Sequence, residues 1–218
     1  MDAVLFDMDG TLVDSERVWG IALAELAVRA GGTLSDSARL AMVGSSMARS
    51  MQIFRDDLGQ PDRPEAPDVT WLIDRVYELF ADGLVWRPGA AELLLAVRAA
   101  GIPTALVTST GRRLVEVALK TIGAENFDAV VCGDEVEKPK PDPEPYRRAA
   151  ELLGVRIERC VAIEDSPSGM ASALASGAAV LAVPAELELP PTDGVHLRSS
   201  LVGVDAAFLA DLLNPIRS

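Results

Sequence analysis

The chain has one histidine (His196), two cysteines (Cys132 and Cys160) and very little lysine: three of its 20 basic residues, at positions 120, 138 and 140. Cys132 and Cys160 have no metal-type spacing and no neighbouring His, which excludes a Cys/His zinc centre and a disulfide framework. Both lie in apolar runs and read as reduced, buried thiols. No apolar run approaches the roughly 20 residues that span a bilayer. Nor does a basic segment precede an apolar one at the N-terminus, where Asp2 follows Met1 and Asp7 and Asp9 break the first apolar run. The expectation is a cytoplasmic chain with no membrane partner. Basic residues are also outnumbered, 20 against 33 acidic, for a formal net charge of −13. That balance excludes a protein that grips nucleic acid by its phosphates. It leaves room for a small phosphorylated ligand, because one pocket can be cationic on an acidic protein.

Within the 218 residues, hydrophobic side chains make up 49% and charged ones 24%, the proportions of a globular chain able to bury a large core. Five short apolar runs, at 3–6, 104–107, 129–132, 160–163 and 178–183, have strand length. Several show no alternation, as in strands covered on both faces. Helical spacing fills the intervals 110–122, 143–153 and 166–176, each closed by a glycine and the last two opened by proline or serine. Strand–helix alternation of this kind predicts an α/β fold, a doubly wound parallel sheet.

The interval between the first two strands is far longer than one crossover needs. Segments 15–30, 35–43, 46–58 and 68–81 show helical spacing there, with a proline-rich stretch at 60–67 and no strand-like run. The expected organisation is a core of residues 1–14 plus 87–218 and an inserted helical domain of residues 15–86. A further helix, 90–100, leads into the second strand.

Open parallel sheets bind ligands at the carboxyl ends of their strands. The first strand here ends in Asp7-Met8-Asp9-Gly10-Thr11 and the second in Thr108-Ser109-Thr110. Lys138-Pro139-Lys140-Pro141 follows the third, and Glu164-Asp165-Ser166 ends the fourth. Carboxylates gathered at one edge resist ionisation unless a cation sits among them, and oxygen ligands without His or Cys point to Mg²⁺. Taken singly, these segments also suit turns and helix caps: Thr108-Ser109-Thr110 could cap the next helix, and Ser166 or Asp165 the one after.

These four strand ends, in this order, resemble the motifs of the haloacid dehalogenase superfamily, in its branch with a helical cap inserted between the first and second motifs. The resemblance extends to about residue 184. It implies that Asp7 attacks phosphorus to give an aspartyl phosphate, and that Asp9 protonates the leaving alcohol and then deprotonates water. It implies Mg²⁺ held by Asp7, the Asp9 backbone carbonyl and Asp165, with Glu164 beside them. Thr108 would bind phosphoryl oxygens. Lys138 would be the charge-balancing lysine, a compact cation in a chain that otherwise uses arginine.

Substrate contacts are expected from Ser109, from a cap loop at Gly44 and Ser45, and from Arg49 and Arg112. The chain also resembles β-phosphoglucomutases, but Met47 stands where they carry a phosphate-binding arginine, and Trp19 where relatives often have His. Met42, Met47 and Met51 read as core of a small helical bundle, and His196 as structural or exposed. Dehalogenases proper lack the second aspartate, and a receiver-like phospho-acceptor would lack the insert; a silent binding protein on the same fold is the remaining alternative. The sequence therefore predicts a Mg²⁺-dependent phosphatase for a small phosphorylated metabolite such as a sugar phosphate. It is compatible with a monomer or a homodimer.

Overall fold

The computed structural model describes residues 1–43, 45–185 and 188–213. Six parallel strands form one sheet: β1 (Ala3–Phe6), β2 (Thr104–Val107), β3 (Ala129–Val131), β4 (Cys160–Glu164), β5 (Ala179–Ala182) and β6 (Val195–Leu197). Their spatial order is β3-β2-β1-β4-β5-β6. Chain order reverses at β1, so a crevice opens beyond the carboxyl ends of β1 and β4. The register fixes what stands there. Phe6 lies opposite Leu106 on one side and Ile163 on the other, which puts Asp7 level with Val107 and Glu164, and Thr108 one residue beyond. β6 was not expected. It is a three-residue edge strand carrying His196, held by pairing with β5 rather than by an apolar pattern.

Strand alternation divides the core into two layers. Val4 and Phe6 join Leu106, Val161 and Ile163 on one face, under helices α5 (Ala90–Ala99) and α6 (Arg112–Ile122). Ala3, Leu5, Ala105 and Ala162 face the other way, toward α7 (Glu144–Leu153) and α8 (Pro167–Ser176). The second layer is alanine-rich, so its helices ride close to the strands; Tyr146 of α7, fully buried, fills the space between. A short helix, α9 (Ala206–Asp211), packs on α5.

Four helices stand between β1 and α5: α1 (Glu16–Arg29), α2 (Asp36–Met42), α3 (Met47–Asp57) and α4 (Glu65–Ala81). α1 packs on α4 and α2 on α3. α4 begins three residues earlier than its spacing predicts, and takes Pro67 into its first turn, where the missing N–H has no helical partner to lose. α4 also packs against α6 of the sheet layer. There Arg113 pairs with Asp74 at 2.7 Å and stacks over Tyr77 with its guanidinium 5.0 Å from the ring centre. Met51 is core, as expected, while Met42 and Met47 also line a cavity.

The chain enters and leaves these helices along two adjacent strands of backbone. Asp14 N–H donates to Val85, Arg87 N–H donates to Leu12, and Val13 bridges Trp86. Among the described residues, no helix is long and apolar enough to cross a membrane.

Candidate active site

The loop after β1 turns on Gly10, whose φ of +77° is open to glycine at little strain. A Cβ at that position would also collide with the Asp165 carboxylate, so the close approach of the two loops requires glycine twice over. The turn leaves Asp7 anchored through its N–H to Ile163 of β4 and buries its side chain. Asp7 Oδ1 accepts a hydrogen bond from Lys140 Nζ at 2.8 Å, while Oδ2 is buried with no partner among the described residues.

Lys140, not Lys138, is the lysine at this centre. Its ammonium donates to Asp7 Oδ1, to Glu164 Oε1 at 2.6 Å and to the Val107 carbonyl at 2.8 Å, which uses all three of its protons. The side chain is 4% exposed. Lys138 is exposed on the outer side of the loop. The reason is local: Glu144, in the first turn of α7, accepts from the backbone N–H groups of both Glu137 and Lys138 and pins that stretch outward. The lysine that turns back under the sheet edge is the next one along.

Burial works against the charge on Lys140, but Asp7 and Glu164 more than reverse this and hold its pKa above the ordinary lysine range. Burial, then Glu164 and Asp9, push Asp7 up to about 7 despite the lysine. Asp165 is raised for the same reasons, burial first and then Asp7 and Glu164. Oxygens of Asp7, Glu164 and Asp165 lie within 4.8 Å of one another. Three mutually repelling carboxylates, all oxygen donors, are the donor set a hard divalent cation fits. Gly169 leaves room for this cluster, because a Cβ there would run into the Glu164 carboxylate, and Ser166 caps α8 by accepting from Gly169 N–H.

Asp9 is held differently. Its Oδ2 accepts from the hydroxyls of Thr108 at 3.0 Å and Thr110 at 2.8 Å, and its Oδ1 is buried with no partner among the described residues. Thr108 thus positions the Asp9 carboxyl. One expectation is corrected: these threonines do not cap α6. The cap residue is Gly111, and Asp134 accepts from Arg112 N–H at 3.0 and 3.2 Å in their place. Thr110 was not singled out as a site residue; the Asp-x-Asp spacing ahead of a Thr-x-Thr was the available signal.

Both aspartates open into a cavity of about 540 Å³ between the sheet edge and helices α1–α4. Ser45 and Ser109 line it, as expected. Gly44 lies outside the described residues. Arg49 is exposed and outside the described lining, and Arg112 is turned away into a two-pronged pair with Glu135 at 2.7 and 2.8 Å. The arginine that does line the cavity is Arg39 of α2, which the sequence reading passed over. The α1–α4 wall is mostly apolar (Trp19, Leu23, Leu72, Ile73), whereas the α2–α3 wall brings Arg39, Ser45 and Ser50.

Comparison with known proteins agrees with this geometry. Residues 1–177 match the family model of haloacid dehalogenase-like hydrolases. Hexitol phosphatase A of Escherichia coli is 35% identical over 198 residues, 88% of each chain. A phosphorylated carbohydrates phosphatase of Thermotoga maritima is 34% identical over 182 residues, 81% of this chain and 82% of its own. The crystal structure of a CbbY variant from Rhodobacter sphaeroides with xylulose-(1,5)bisphosphate superposes with a TM-score of 0.82 at 30% identity, over 96% of this chain and 99% of that one.

Proposed function

The chain belongs to the haloacid dehalogenase-like hydrolases, and on that premise we propose that it is a Mg²⁺-dependent phosphatase that hydrolyses a carbohydrate-sized phosphate monoester through an aspartyl phosphate. The observation that carries the reading is the division of labour on Asp7, a cavity-lining residue: one oxygen is tied to Lys140, and the other is buried with no partner among the described residues.

Asp7 Oδ2 attacks phosphorus while the ester P–O bond breaks. Asp9, presenting Oδ1, gives its proton to the departing alcohol oxygen. Water then attacks phosphorus, Asp9 takes its proton, and the bond from phosphorus to Asp7 breaks, returning Asp7 as a carboxylate and releasing inorganic phosphate. Thr108 and Thr110, both donating to Oδ2, hold Asp9 in place and keep the proton-carrying oxygen on the other side. Lys140 lowers the cost of bringing an anionic phosphoryl group to an anionic nucleophile. Asp7, Asp165 and the Asp9 backbone carbonyl would hold Mg²⁺, which when bound offsets phosphoryl charge. Glu164, with both oxygens engaged by protein donors, stands behind them.

The two cavity walls suit an alcohol with an apolar face and a hydroxyl-bearing edge. Met47 lines the cavity at the place where β-phosphoglucomutases carry a phosphate-binding arginine, which favours hydrolysis over transfer to a second phosphate. We also take the enzyme to be cytoplasmic, a setting that suits its two buried, unpaired thiols; burial pushes Cys132 up to about 12 and Cys160 up to about 11.

The test is phosphate release from p-nitrophenyl phosphate and from a panel of hexose and hexitol phosphates, with Mg²⁺ or EDTA, for wild type and Asp7→Asn. Release that requires both the metal and Asp7 is expected. Release that survives Asp7→Asn would overturn the covalent mechanism, and no release from any ester would overturn the phosphatase.

A further inference from the structure

Tyr146 touches the catalytic lysine and its carboxylate partner without touching the cavity. It is fully buried in the first turn of α7, in the alanine-rich layer beneath the sheet. Its hydroxyl donates to Glu164 Oε1 at 2.6 Å, the same oxygen that accepts from Lys140. Its ring centre lies 5.1 Å from Lys140 Nζ.

A lysine is a flexible point charge whose place is set only by its acceptors. Two of the three acceptors here can move: the Asp7 carboxylate, which changes during the reaction, and Glu164. The third, the Val107 carbonyl, is backbone. Glu164 is therefore the side chain that keeps the ammonium at Oδ1 while Asp7 changes charge, and it needs fixing itself. Asp165 N–H and the Ser166 hydroxyl reach its other oxygen only at 3.2 and 3.3 Å. The short bond from Tyr146 is the firmest hold on the Oε1 side.

We infer that Tyr146 is a positioning residue for catalysis: by fixing Glu164 and flanking Lys140, it keeps the ammonium on Asp7 Oδ1 and so leaves Oδ2 to the phosphorus. The inference rests on the phosphatase reading above. It differs from a buried tyrosine that merely satisfies its hydroxyl, because that role would affect stability alone.

The measurement is kcat and KM with p-nitrophenyl phosphate and saturating Mg²⁺ for wild type, Tyr146→Phe, Glu164→Gln and the double variant, alongside thermal unfolding. A hydrogen bond to a charged group is strong enough to change a rate about tenfold. Tyr146→Phe should therefore lose about that factor in kcat with KM unchanged, since Tyr146 is outside the cavity lining. In the Glu164→Gln background the same change should add little, because both act through one group. A folded Phe variant with wild-type kcat overturns the inference, as do additive losses or a chain that cannot fold without the hydroxyl, which makes the role structural. A wild type that releases no phosphate overturns instead the phosphatase reading on which it rests.

Discussion

Replacing Lys140 with methionine keeps most of the buried stem and removes only the charge. At 2.8 Å from Asp7, and with an effective dielectric of about 20, the lost attraction is about 6 kcal/mol before desolvation is subtracted. Breaking a buried pair from one side costs about 3–5 kcal/mol in practice, because the carboxylates left behind can take up a proton. That escape makes the effect depend on pH in a definite direction. Asp7 already has its pKa pushed up to about 7, first by burial. Without the ammonium, the folded-state pKa values of Asp7 and Asp165 rise further above the unfolded values of about 4. A carboxyl with a raised folded pKa binds protons on folding, so its stability is lost as pH climbs from the unfolded value through the folded one. Lys140→Met should thus be nearest to wild type near pH 5 and farthest from it near pH 8. Urea unfolding across that range reads the difference directly. Turnover of p-nitrophenyl phosphate should fall by about 10²–10³, the usual loss when one charge-stabilising donor is removed. Lys138→Ala, two residues earlier and exposed, should change stability by no more than about 0.5 kcal/mol and leave turnover intact. If Lys138→Ala abolishes turnover while Lys140→Met retains it, the site has been assigned to the wrong lysine. Equal unfolding midpoints for wild type and Lys140→Met at pH 8 would refute the electrostatic argument itself.

Asp9→Asn should slow an alkyl phosphate, which needs its leaving oxygen protonated, far more than p-nitrophenyl phosphate, and equal losses on both would remove the acid role. Mg²⁺ at a hundred times its Kd should stabilise the wild-type fold by about 2.7 kcal/mol, raising the thermal midpoint; Asp165→Asn should abolish most of that rise, and an undiminished rise would place the ion elsewhere. Arg113→Gln cuts the contact from α6 to Asp74 and Tyr77. Since that pair is half-exposed, fold stability should shift by less than about 1 kcal/mol, while KM rises roughly twofold to fivefold. An unchanged KM would show that the contact does not hold the cavity together.

Much of the fold was legible because the strands that matter are buried on both faces. Residues 3–6, 104–107 and 160–163 are unbroken apolar runs, and glycines at 123, 154 and 177 close the helices between them. β6 was not legible: two half-buried residues, Val195 and His196, and the exposed Leu197 have no pattern until β5 supplies their partners. In the site, Asp7, Asp9, Glu164 and Asp165 follow from strand ends, where register alone decides position. Side chains whose direction is set by a distant partner do not follow. Lys138 and Lys140 are equivalent on paper until Glu144 pins the first outward. Arg112 looks available until Glu135 takes it, and Arg39 is placed in the cavity wall by α2, which packs on α3.

The two adjacent backbone strands that join α1–α4 to the sheet run through the catalytic loop itself. Val13 bridges both Trp86 and Asp9, and Gly10 N–H donates to Val13. The helices are therefore tied to the peptide that carries Asp9: a rotation that widened the cavity would pass through residues 12–14 and 85–87. With Asp9 as the proposed acid, proton delivery would then depend on how far the chamber is shut. An ester too large to let the helices settle would meet Asp7 without a properly aimed Asp9, and size selection would act on the chemical step as well as on entry.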